Sequence, residues 1–96
     1  LASSAASDVY KRQTQALIDS RTAWDKYLSS QKYVASAEEA ARQIARKYDL
    51  GAATVTDYNT AISTQVKARS QLLQTKYEYL FKIKTLTYYT NYYYGE

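Results

Sequence analysis

The sequence predicts an all-α protein, a long antiparallel helical hairpin. Three observations predict it. The 96 residues contain no Pro and only two Gly, so long stretches carry no helix breaker. Small and apolar residues recur with a heptad period. Gly51 falls near the middle and Gly95 at the end, where helices stop.

The first thirteen residues read differently from the rest. Leu1 to Gln13 is low in complexity and then irregular. It resembles a translated adapter tail and is set outside the functional reading, although its Ala and Arg content suits a continuing helix. The chain begins with Leu1 and has no Met, so it is expected to be a piece of a longer protein. No secretory signal pattern and no run of ~20 apolar residues is visible.

The hairpin proper is expected over residues 14–96, with a helix over about 14–48, a turn over about 49–54 and a helix over about 55–94. In the first arm, Tyr27, Ser30, Val34, Ala37, Ala41, Ile44 and Tyr48 follow alternating steps of 3 and 4. Ala23, Ser20 and Ala16 extend the seam backward. Rich in Ala and Ser, this seam lets a facing helix approach closely. Lys26, Lys32, Arg42 and Arg46 fall on the solvated face, and Glu38 is spaced to pair with Arg42 four residues on.

In the turn, Gly51 suits a positive φ that closes the first helix. Thr54 fits as the N-cap of the second helix, with Asp57 three residues on. The carboxylate of Asp57 also suits the positive end of the helix dipole.

The second arm carries two stripes. Ile62, Val66, Leu73, Tyr77 and Leu80 form one, and Ala61, Ala68 and Thr75, seven apart, form the other. A helix in a two-stranded coil needs one seam, so two seams imply neighbours on both sides, as in a bundle or a closed ring. The Ala61, Ala68 and Thr75 seam is expected to serve that outer neighbour. Ala68→Glu should then disrupt an assembly and spare a lone hairpin. The final stretch holds five Tyr between Tyr88 and Tyr94, too many for one stripe, and is read as a helix end packed on another part of the parent.

Little in the chain points to chemistry. Without Cys there is no disulfide or thiolate site, and without His no imidazole base or ligand. Glu38 and Glu39 are adjacent on a helix, about 100° apart, and do not converge on one substrate. Gly51 is isolated, so no phosphate loop is present. No catalytic residue, cofactor or metal is expected. The formal charge of +4 is mild, and Lys82 and Lys84 among Tyr79, Phe81 and Tyr88 make too short a stripe for nucleic acid.

The segment from Ala37 to Gly95 resembles the C-terminal hairpin of the TolC-like outer-membrane efflux proteins. The resemblance rests on Tyr48, Gly51, Asp57, Ala61 and Ala68, on Gln74 to Leu80, and on the closing Gly95. It implies one hairpin of a trimeric α-helical barrel in the periplasm, its turn at the tip that closes the exit duct. It further implies a homotrimer anchored in the outer membrane by parts outside this chain. Its partners would be a periplasmic adaptor and an inner-membrane transporter of a tripartite pump or type I secretion system. Tyr48, Gly51 and Asp57 would be the tip, gate or adaptor-contact residues. Ala53 and Thr60 depart from the family's tip pattern, an Arg and a second Asp, so closure here is expected to use packing or other residues. The competing reading is a stand-alone coiled-coil interaction module.

Overall fold

The computed structural model describes residues 2–94, with side chains over 4–91. Gly95 and the side chains of Tyr92, Tyr93 and Tyr94 lie outside the described residues. The described residues form two helices joined by one turn. Helix α1 spans Ala2–Asp49 and helix α2 spans Val55–Tyr94, and they pack side by side as an antiparallel hairpin. At 1.5 Å per residue, the 48 residues of α1 account for the long dimension of 73 Å. The helix passes unbroken through Gln13, and Val9 and Gln13 continue the seam register at half-buried positions.

The hairpin is thin. Its radius of gyration is 21.2 Å, against ~12.5 Å for a compact chain of this length. It exposes 7377 Å², against ~5,600 Å² for a compact monomer of this mass. Among the described residues no large side chain is fully buried.

The core is a narrow seam of small residues. From α1 come Ala16, Ser20, Ala23, Ser30, Ala37 and Ala41, and from α2 come Ala68 and Thr75. Every α1 position in this list belongs to the expected heptad. Two of these hydroxyls are paired within their own helix. Ser20 Oγ donates to the Leu17 carbonyl at 2.8 Å, and Thr75 Oγ1 to the Leu72 carbonyl at 3.0 Å. Larger seam residues, among them Tyr27, Val34, Ile44, Leu72, Tyr79 and Leu86, are half-buried along the seam. Around the middle of the long axis, Trp24 and Tyr27 of α1 meet Tyr79 of α2, with ring centroids 5.1 and 6.3 Å from Tyr79.

Two ion pairs cross between the helices on opposite sides of the seam. Arg69 Nη2 donates to Glu38 Oε1 at 3.1 Å, and Lys26 Nζ lies 3.7 Å from Glu78 Oε1. Glu38 therefore bridges the helices. Arg42, which the spacing assigns to Glu38, instead donates to Glu39 Oε2 through Nε at 3.1 Å, one turn away on the same helix. The cause is geometric. Glu38 lies beside the seam within reach of α2, whereas Glu39 points to solvent with Arg42.

Candidate functional site

The turn is built from two interlocking caps. Gly51 takes φ +75°, the left-handed conformation that costs glycine least. Around it, the Gly51 N–H donates to the Tyr48 carbonyl at 3.0 Å and the Ala52 N–H to the Lys47 carbonyl at 2.7 Å. Together these form a Schellman closure of α1. Three residues on, Thr54 caps α2. The Asp57 N–H donates to Thr54 Oγ1 at 3.0 Å, and the Thr54 N–H donates back to Asp57 Oδ2 at 3.2 Å. This is a reciprocal capping box with Asp in the place of the usual Glu.

The tip that results is firm in backbone and apolar at its apex. Leu50 is 83% exposed, and Val55 stands out beside it. Tyr48 is partly exposed, and its ring packs on Tyr58 of α2 at 5.2 Å between centroids. The sequence reading did not single out Tyr58. The signal was present, because Tyr58 stands three residues before Ala61 and so continues the α2 seam toward the turn. Asp57 is exposed, and its carboxylate is engaged as a cap.

The two stripes of α2 exchange the roles expected of them. Ala68 is fully buried against α1, Thr75 is buried, and Ala61 is half-buried on the same line. The small stripe is thus the hairpin's own seam, not the outer one, and Ala68→Glu strikes the hairpin itself. The reason is size. Two helices approach closely only where both present small residues, and the Ala and Ser seam of α1 finds its match in Ala61, Ala68 and Thr75. The larger stripe is turned away. Val66, Leu73, Tyr77 and Leu80 are 56%, 53%, 61% and 46% exposed, and only Ile62 at its start is half-buried.

Beside the seam the hairpin has two unlike broad faces. One holds a groove of about 770 Å³ whose rim carries Asp25, Lys26, Ser29, Gln71, Gln74 and Glu78, with Ser30 and Thr75 at its floor. The opposite face holds a smaller depression of about 450 Å³ beside Arg21, Trp24, Tyr79 and Ile83. Among the ionisable groups, the Glu39 carboxyl is held below the usual carboxylate value, chiefly by its hydrogen bond with Arg42 and that residue's charge. Among the described residues, no group of three or more carboxylates is placed to hold a metal ion, and no helix is long and apolar enough to cross a membrane. Comparison with protein-family models, with curated proteins and with solved structures gives no match to this chain.

Proposed function

We propose that this hairpin is part of a subunit of an outer-membrane efflux or secretion conduit. In this reading it supplies a stretch of the periplasmic tunnel wall and its tip. The subunit works as a homotrimer with a periplasmic adaptor and an inner-membrane transporter, and export through it is passive.

The observation that carries the reading is the outward stripe of α2. Val66, Leu73, Tyr77 and Leu80 repeat in heptad register on the side away from α1 and stay exposed. A hairpin already closed on its own seam has no use for a second apolar seam. A ring of such hairpins uses it at every junction between neighbours. The length of 73 Å suits a tunnel wall, and the doubly capped turn suits a tip that must hold its shape. The resemblance from Tyr48 through Ala68 points the same way.

The test uses the absence of native Cys in these residues. Full-length protein carrying Tyr77→Cys on the outer stripe and Leu28→Cys on the outer side of α1 is oxidised in cells, and the membranes are fractionated. The conduit reading expects covalent trimers in the outer-membrane fraction. Monomers or dimers in the soluble fraction overturn it in favour of a coiled-coil interaction module. With Asp57→Ala, passive leak should rise if the tip holds the duct closed, and unchanged conductance reduces Asp57 to a helix cap.

A further inference from the structure

We infer that the grooved face of the hairpin is the duct wall, and that this wall is nearly balanced in charge and passes cargo of either sign. The inference rests on the conduit reading above and goes beyond it to the kind of cargo the wall admits.

The argument begins with register. From Asp57, steps of three and four along α2 pass through Thr60, Thr64, Lys67, Gln71 and Gln74 to Glu78. No apolar side chain interrupts this line over about three heptads. The matching line on α1 carries Thr22, Ser29, Ser36 and Gln43, flanked by Lys26 and Tyr33. The two lines meet on one side of the molecule, where both contribute to the 770 Å³ groove and where Lys26 reaches Glu78 at 3.7 Å.

The other broad face is of different character. Leu17 and Trp24 are exposed there on α1 and Val66 and Leu73 on α2, with Leu28 and Ile83 half-buried beside them. Exposed apolar side chains grouped on one face call for cover by protein. A wall in contact with water and moving cargo requires the reverse, hydroxyls and amides that exchange hydrogen bonds with whatever passes. In the conduit reading Asp57 lies at the duct. The line in register with Asp57 is the polar one, so that line continues the duct wall away from the tip.

The charges on this wall nearly cancel. Between Asp19 and Glu78 it carries Lys26, Lys47 and Lys67 against Asp19, Asp25, Asp57 and Glu78, and toward the open end Arg12 and Asp8 share the same register, so the wall is left with a single negative charge in excess. The surplus of +4 in the chain therefore lies off this face. A channel lined by one sign of charge concentrates the opposite ion by ~10-fold or more. A balanced wall of Ser, Thr and Gln does not. It offers hydrogen bonds to polar and zwitterionic solutes and lets anions and cations pass on similar terms.

The experiment is cysteine accessibility in single channels. Full-length protein is reconstituted in planar bilayers in KCl, and Ser29→Cys, Gln74→Cys and Leu73→Cys are exposed to a cationic and an anionic thiol reagent. All three positions are exposed, so the variants should fold. The expected result is a stepwise loss of conductance for Ser29→Cys and Gln74→Cys and none for Leu73→Cys. The two reagents should react at a rate ratio near one, and the wild-type reversal potential in a KCl gradient should lie close to zero. Loss for Leu73→Cys alone overturns the face assignment and leaves the conduit reading standing. A rate ratio of ~10 or more overturns the balanced wall. Wild-type protein without any conductance overturns the conduit reading, and this inference with it.

Discussion

The inside and the outside of this hairpin reverse the usual arrangement of size. Between the helices lie Ala16, Ala23, Ala37, Ala41 and Ala68 with a few hydroxyls, while Val66, Leu73, Tyr77 and Leu80 stand outside. The inner seam determines how closely the helices approach. It buries little apolar area, because an Ala contributes one methyl where a Leu contributes four carbons. The outer stripe holds the larger apolar resource and leaves it unspent. Most helical stability in proteins comes from packing an apolar face, and the inner seam alone supplies little of it.

The sharpest test of that contrast sets Ala68→Glu beside Leu73→Glu. Ala68 has no exposed surface, so Glu there must part the helices or bury a carboxylate. The cost is ~3 kcal/mol or more, enough to melt a hairpin with so thin a core. Loss of the helical signal on mild heating in far-UV circular dichroism is the expected outcome. Leu73 is half in solvent, and Glu there should change the melting free energy by less than ~0.5 kcal/mol. Only assembly should suffer, as seen by sedimentation of the full-length protein. Equal effects of the two substitutions would erase the division between inner and outer seams.

The turn should respond less. At Gly51 a Cβ would meet nothing within 4 Å, so Gly51→Ala pays for its positive φ alone. That is about 1 kcal/mol, a fall in melting temperature of roughly 5 °C for a domain of this size. Thr54→Ala removes the oxygen that accepts the Asp57 N–H and should cost somewhat less than 1 kcal/mol, at the lower end of the capping range. Thr54→Ser keeps that acceptor and should restore most of the loss. A Thr54→Ser variant as weak as Thr54→Ala would show that packing of the Thr methyl, not the cap, holds this end.

Both caps and the α1 seam were legible because each is local. Gly51, Thr54 and Asp57 act within a few residues of one another, and the α1 heptad repeats on one helix. The choice between the two α2 stripes was not legible from α2. Each has helical spacing, and apolarity favours Val66, Leu73 and Leu80 for the interior. The deciding fact lies on the other helix, whose small seam positions bring the backbones close enough to favour small residues opposite them. Glu38 was misassigned for a similar reason. Spacing along one helix names Arg42 and contains nothing about Arg69, which folding brings across from 31 residues away. Of the candidate tip, Tyr48, Gly51 and Asp57 could be placed from sequence, while Tyr58 emerged only when the turn set its ring against Tyr48.

The smallest effects belong to those ion pairs, and they test the pairing most finely. Arg69 is largely in solvent and Glu38 about one-third exposed, so Glu38→Gln should cost ~0.2–1 kcal/mol. The Glu39 carboxyl is lowered by Arg42, first through the hydrogen bond and then through its charge, with Gln43 adding to it. A lowered carboxylate contributes stability above its unfolded value, and the contribution is lost as pH falls through the folded value. Arg42→Ala should therefore raise the Glu39 midpoint toward the ordinary carboxylate range in a carboxyl-carbon NMR titration. The melting curve at neutral pH should hardly move, because the pair is fully solvated. A Glu39 midpoint that stayed put would show that Arg42 is not its partner in solution.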